Sequence, residues 1–260
     1  MGLFKNKYES DLIKKSESGD ISAMITLSEC YGGKHTEFGV KKNDELCDKW
    51  ILKAADKGDG HAKEICGNGL CGLGLDCRDK EMVKKGIKYL EDAFYCGIAE
   101  AGDDLGYLYG DEDNGQWSDP NKAFHWYSLA AEAGFPRSQW KMAKYYFNGE
   151  FVQTDLQQAK YWIECAINNK NIDKTKLSRY YLTYGMILDS LNDRENSIKY
   201  LKISVDLGDS GYEVSAYFLG SIYEEINNIP EAIKYYKIGS SQNHTGCKER
   251  LAVLKMSHSI

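Results

Sequence analysis

Proline is nearly missing from this chain, with 3 residues in 260. Proline removes an amide donor and breaks helices, so its scarcity leaves long helices unobstructed. Long apolar runs are missing too. No stretch approaches the roughly 18 consecutive apolar residues of a membrane-spanning helix, so no membrane association is expected. The opening MGLFKNKYESDLIKKSE has no apolar core of about 7–15 residues and no small-residue cleavage site, which argues against a secretory signal. Gly2 invites a myristoylation reading, but Asn6 stands where that motif needs Ser or Thr. Together these readings predict a cytoplasmic protein whose 8 cysteines are reduced thiols. An excess of basic residues is also lacking: the formal net charge is -6 and the pI about 5.5. That excludes the electrostatic footprint of a nucleic-acid binder and suits solubility or a basic partner.

Catalytic signatures are missing as well. The histidines His35, His61, His125, His244 and His258 are scattered, and none belongs to an H-E-x-x-H set. There is no P-loop and no G-x-S-x-G elbow. The glycines of 67–74 follow no strand and do not suggest a nucleotide fold. The expectation is a protein that is not an enzyme, with no catalytic residue and no cofactor.

The stretch CGNGLCGLGLDC, residues 66–77, first suggests a metal or redox site. Its Cys66, Cys71 and Cys77 lack the close paired spacing of zinc ligands, and no second cluster accompanies them. The acidic segment Asp111–Asp119 resembles a calcium loop superficially, but Lys122 stands where a closing Glu would be needed. No metal is expected.

What the sequence does have is a repeat. The segments ending at Gly58, Gly97, Gly134, Lys170, Gly208 and Asn243 look alike, at intervals of 35 to 39 residues. Eight positions before each end stand Trp50, Tyr89, Trp126, Trp162, Tyr200 and Tyr235, all aromatic. Eleven positions before stand Cys47, Gly86, Ala123, Ala159, Ser197 and Ala232, all small. Four positions before stand Ala54, Ala93, Ala130, Ala166, Ser204 and Gly239, small again. Offsets of three and four share one helical face, so this is one helix of each repeat. Asp119 before Pro120, Asp155, Asp193 and Pro230 mark its starts.

An earlier helix repeats in the frame small, three residues, apolar, small, two residues, large apolar. The copies read Ala23/Leu27/Ser28/Tyr31, Ala62/Cys66/Gly67/Leu70, Ala101/Leu105/Gly106/Tyr109, Ser138/Met142/Ala143/Tyr146, Ser178/Leu182/Thr183/Met186 and Ser215/Leu219/Gly220/Tyr223. Cys66 thus fills an apolar slot and Gly67 a small one, so the cysteine stretch reads as one helix followed by a Gly-rich connection. A helical hairpin cannot bury its apolar face alone, but stacked hairpins can. The expected fold is all-α: a right-handed α-α superhelix of about six helix-loop-helix repeats in one domain over 1–260. The repeats fall at about 19–58, 59–97, 98–134, 135–170, 171–208 and 209–243. Residues 3–17 are predicted to form a leading helix. Residues 244–258 are predicted to form a capping helix with Leu251, Val253 and Leu254 facing inwards.

These residues resemble Sel1-like repeats, relatives of tetratricopeptide repeats with a longer loop. Repeat three carries the pattern most fully, in Ala101, Leu105-Gly106, Tyr109, Asp119, Ala123, Trp126-Tyr127, Ala130-Ala131 and Gly134. Repeats five and six have short loops and look tetratricopeptide-like. The resemblance covers nearly all of 19–243. It implies a non-enzymatic scaffold or adaptor whose first helices line a concave groove, though fold alone does not fix function.

With the second small residue of the frame as zero, the groove side of the first helix comprises offsets -6, -3, +1, +4 and +5. There, repeats four to six carry an aromatic stripe where a solvated face would be polar, and repeat three adds Tyr107. The expected partner-binding residues are Tyr107, Trp140, Lys144, Phe147, Tyr180, Tyr184, Ile187 and Tyr217. The partner would be another protein, neither nucleic acid nor membrane. An alternative is an immunity protein that neutralises a toxin by covering it. The oligomeric state is left open.

Overall fold

A computed structural model describes residues 7–209 and 211–258. Its contacts divide the chain into two compact units, Met1–Ala133 and Gly134–Ile260. Among the described residues every regular element is helical.

In the first unit α1 (Lys7–Glu17) packs on α2 (Ile21–Tyr31), which pairs with α3 (Asp44–Asp56). Two further hairpins follow: α4 (Gly60–Asp76) with α5 (Lys80–Tyr95), and α6 (Ala99–Gly110) with α7 (Pro120–Glu132). The leading helix expected over 3–17 is described from Lys7 onward, its earlier residues lying outside the described ones. The second unit pairs α8 (Pro136–Asn148) with α9 (Leu156–Ile167), α10 (Leu177–Ser190) with α11 (Arg194–Leu207), and α12 (Tyr212–Glu225) with α13 (Ile229–Ser241). The last helix, α14 (Thr245–His258), packs on α13.

The frame residues explain the pairing. In the second helices the small positions Gly86, Ala123, Ala159, Ser197 and Ala232 are all buried. So are Ala54, Ala93, Ala130, Ala166, Ser204 and Gly239. The caps are those expected: Asp119, Asp155 and Asp193 each accept a backbone amide from the first turn of α7, α9 and α11. Each satisfies a donor that the helix cannot satisfy internally.

A single backbone bond closes every hairpin. The N-cap residue of the second helix donates its amide to a carbonyl near the end of the first. The pairs are Asn43 to Tyr31, Asp79 to Gly74, Asp119 to Tyr109, Asp155 to Tyr146, Asp193 to Leu188 and Asn228 to Tyr223, all at 2.8–2.9 Å. Between hairpins the chain turns through left-handed backbone, at Gly58 (φ 99°) and Gly97 (φ 94°) among others. Glycine adopts that region without a Cβ penalty, which is why it marks the repeat ends.

Two expectations are corrected. Helix α4 does not stop before a Gly-rich connection. It runs through all four glycines to Asp76, and Cys77 caps it. Two of those glycines, with Gly86, let α5 approach. A Cβ on Gly86 would lie 2.6 Å from Cys71 Sγ and 2.8 Å from both Cys71 N and Gly67 O. A Cβ on Gly67 would lie 2.7 Å from Leu90 Cγ, and one on Gly74 2.7 Å from Val83 Cγ2. In the capping helix, Leu251 and Leu254 are buried as expected, but Val253 is exposed, because it lies one position off their shared face.

Repeat five is also out of register with the expected frame, by two residues. The glycine that meets the second helix is Gly185, whose Cβ would lie 2.6 Å from Leu201 Cγ. Gly106 meets Tyr127 and Gly220 meets Tyr236 in the same way. The closing bond agrees, since Leu188 stands three residues after Gly185 as Tyr223 does after Gly220. The repeat-five frame is therefore Tyr180/Tyr184/Gly185/Leu188, not Ser178/Leu182/Thr183/Met186. Ser178 serves another purpose. Its hydroxyl donates to Ser204 O at 2.9 Å, Ser204 returns a 2.7 Å bond to Ser178 O, and Ser215 Oγ lies 2.6 Å from Ser204 Oγ. This buried knot joins α10, α11 and α12, and at the Ser204 position repeats one to four have alanine.

Candidate protein-interaction surface

The register of repeat five decides which stripe residues reach solvent. Tyr180, Tyr184 and Ile187 are buried at 4%, 8% and 0% exposure, so the structure corrects the expectation that they face an open groove. Tyr180 and Tyr184 occupy the frame positions just identified. They pack in one cluster with Ala143, Ala159 and Ile163. Tyr184 lies against Tyr200, with centroids 4.5 Å apart and planes tilted by 40°, and donates its hydroxyl to Glu164. Burial, followed by that carboxylate, pushes the Tyr184 phenol well above its ordinary pKa.

The remaining expected residues do reach solvent. Trp140, Lys144 and Phe147 lie half-buried on α8, and Tyr217 half-buried on α12. Tyr107, in the first unit on α6, is 59% exposed. The corrected frame adds three residues that the sequence reading missed. Arg179, Leu182 and Met186 take offsets -6, -3 and +1 of α10, and all three are half-buried. A signal for them existed. Gly185 precedes its repeat end, Gly208, by 23 residues, as Gly220 precedes Asn243 by 23.

Trp140 is the most firmly held of these side chains. Its indole stacks on Tyr180, with centroids 5.7 Å apart and planes at 16°. Its Nε1 donates to Thr183 Oγ1 at 2.9 Å, and Thr183 Oγ1 donates to Arg179 O at 3.0 Å. Lys144 Nζ lies 5.1 Å from the ring centroid, Arg179 Cζ 5.6 Å and Lys141 Nζ 5.8 Å. Tyr217 sits in a different setting, 5.1 Å from the His244 ring and 6.1 Å from Tyr236.

Two of the three cysteines of the 66–77 stretch are core residues. Cys66 and Cys71 are buried thiols, and burial pushes their pKa values up to about 11 and about 12. The thiolate, which would bind metal or attack an electrophile, is thereby disfavoured. Among the described residues no group of three or more His, Cys, Asp or Glu side chains could hold a metal ion. Among them, too, no helix is long and apolar enough to cross a membrane.

A family model described as Sel1 repeat matches residues 22–59, 99–135, 136–171, 175–209 and 212–244. The chain belongs to the Sel1 repeat family. Solved structures with the same fold include a Sel1 repeat protein from Oxalobacter formigenes. It has TM-score 0.63 and 20% identity, and the match covers 95% of this chain and 69% of that one. Another is c5321, a protective antigen of uropathogenic Escherichia coli strains with an SLR fold. There the TM-score is 0.56 and the identity 21%, over 95% of this chain and 59% of that one. Among curated proteins, Chitin synthase regulatory factor 3 of Schizosaccharomyces pombe is 24% identical over 152 residues. That match covers 57% of this chain and spans only 16% of the relative's length. Sel1 repeats are generally protein–protein interaction modules, and this chain has their all-α repeat fold. The α4–α5 hairpin lies between the first two matched segments. It is the hairpin in which extra helix replaces the long Sel1 loop.

Proposed function

We propose that this chain is a non-enzymatic adaptor that holds a partner protein on the first-helix face of its second unit. The observation that carries this reading is Trp140. A large aromatic side chain at an off-frame position is half exposed, yet stacked and hydrogen-bonded into one orientation. Pinned aromatic side chains make good interface anchors, because little rotamer freedom remains to be lost on binding. Phe147, packed against the same core cluster as Trp140, is also half-buried on α8. Tyr107 offers a separate contact from the first unit.

Affinity capture with the full chain as bait tests this. Wild type, Trp140→Ala and Tyr107→Ala are compared under identical conditions, with melting curves to confirm folding. The expected result is a stoichiometric protein held by wild type and lost with Trp140→Ala. Its loss with Tyr107→Ala as well would bring the first unit into the interface. Retention by Trp140→Ala would move the binding site to another surface. A captured toxin, inactivated on binding, would turn the adaptor into an inhibitor.

A further inference from the structure

Ser16 is a polar residue in an apolar slot. The amide of Gly19 donates to Ser16 O at 3.1 Å, as Gly58 does to Ala55 O and Gly97 to Phe94 O, so the three residues hold equivalent positions at successive hairpin junctions. Ser16 and Ala55 are each 1% exposed. The Ser16 hydroxyl is buried without a hydrogen-bond partner, a cost that an alanine would avoid. Ser16 also lines a cavity of about 460 Å³ where the end of α1 meets the end of α3. That size lies in the range of small-molecule sites, roughly 300–1,000 Å³. The charged residues of the lining are Glu17, Lys53, Asp56 and Lys57. Lys53 Nζ lies 4.4 Å from the Trp50 ring centroid, and Asp56 accepts from the Tyr89 hydroxyl at 2.6 Å. The side chains of Glu17 and Lys57 have no ion pair or hydrogen bond among the described residues.

We infer that this cavity binds a small zwitterion of the α-amino acid class. Its carboxylate takes Lys57 and the Ser16 hydroxyl, and its ammonium takes Glu17. The balance of charge selects this class. Two cations and two carboxylates line the cavity, so a bare anion or a bare cation meets like charges on entering. A molecule carrying both signs meets an opposite charge at each end. A carboxylate also gives the buried hydroxyl an ionised acceptor, the stronger kind of hydrogen bond. Met24, buried in the cavity wall, offers apolar contact to a short side chain. The site belongs to the first unit and does not depend on the binding role proposed for Trp140.

The test is isothermal titration calorimetry on the full chain. The probes are glycine, L-alanine and L-leucine, with acetate and ethylammonium as the two halves of the zwitterion. At least one amino acid is expected to bind saturably at one site, and neither half-molecule at tenfold higher concentration. Lys57→Gln, Glu17→Gln and Ser16→Ala should each weaken binding about tenfold, the worth of one hydrogen bond to a charged group. Lys80→Gln, at an exposed position in the first unit, should leave it unchanged. Ser16→Ala should fold with an unchanged or raised Tm, because it removes a buried hydroxyl that has no partner. A lowered Tm would show that an ordered water already satisfies the hydroxyl, and overturns the inference. Failure of all three amino acids to bind also overturns it, as does binding indifferent to Ser16. Acetate binding as tightly as the amino acids would make this a plain anion site and overturn it too.

Discussion

Repeats two and four follow one frame and use it in opposite ways. In repeat two, Gly67 and Gly74 of α4 and Gly86 of α5 bring the two backbones together, and sulfur and aliphatic side chains fill the margins. The outer face of α4 is then nearly bare. Gly69 and Gly72 have open space before them, between the exposed Ile65 and Leu73. In repeat four, the positions equivalent to Gly67 and Gly86 are Ala143 and Ala159, both fully buried. The outer face of α8 carries Trp140, Lys144 and Phe147 instead. The frame positions decide how closely two helices pack, and they vary among Gly, Ala and Ser. Off-frame positions are free of that duty, and there the two repeats diverge in a way that bears on binding.

The sharpest way to break this comparison is to give repeat two a side chain at its closest contact. Gly86→Leu should destabilise the protein by about 3 kcal/mol or more, since two of the atoms its Cβ would meet are backbone and cannot step aside. Chemical denaturation followed by circular dichroism measures this. A loss below about 1 kcal/mol would show that the two helices can separate freely. The converse change, Ala159→Gly, should cost about 2 kcal/mol, from helix propensity and one lost buried methyl. The same denaturation curves report it.

Gly69→Ala with Gly72→Ala should act in the other direction. Both glycines lie inside α4 with nothing near their missing Cβ atoms, so the pair should stabilise by about 1–2 kcal/mol. Unchanged or lowered stability would show that this bare face is already in contact with something in solution. The smallest expected effect concerns pH. Burial, then the carboxylates of Asp104 and Glu100, raise the Glu64 pKa above its ordinary value of 4.5, against a hydrogen bond from Asn68. The native state then holds the proton more tightly than the unfolded chain. Stability from this group is therefore full below about pH 4.5 and is lost as pH rises through the native value. Glu64→Gln should flatten that decline in melts run from pH 4.5 to neutrality, and an unchanged slope would assign it to other groups.

Much of the fold was legible because helical packing repeats with a fixed spacing. Small and aromatic residues at offsets of four, eight and eleven named the buried face of every second helix. Asp119, Asp155 and Asp193 named where three of them start. Cys66 was legible as packing for the same reason, since it falls where other repeats place Leu, Met or Tyr. The errors arose where two readings satisfied the same period. In repeat five, Ser178/Leu182/Thr183/Met186 fits the small and apolar slots by composition, whereas Tyr180/Tyr184/Gly185/Leu188 puts a large tyrosine in the first small slot. The approach of Gly185 to Leu201 and the bond from Asp193 to Leu188 decide between them, in line with the spacing of Gly185 from Gly208. In repeat two, four glycines read as a loop because glycine weakens a helix locally, and the packing of α5 outweighs that cost.

The sequence by itself determined an all-α chain of stacked hairpins in the Sel1 pattern, because the period of a buried helical face is a local property that composition displays directly. Which aromatic residues are surface and which are core was decided only by the tertiary structure. Trp140 and Tyr180 look alike in sequence and stack ring on ring, yet one is half exposed and the other buried. Two residues of register separate those outcomes. Rotating a helix by two residues turns it by roughly 200° and carries a side chain from one face to the other.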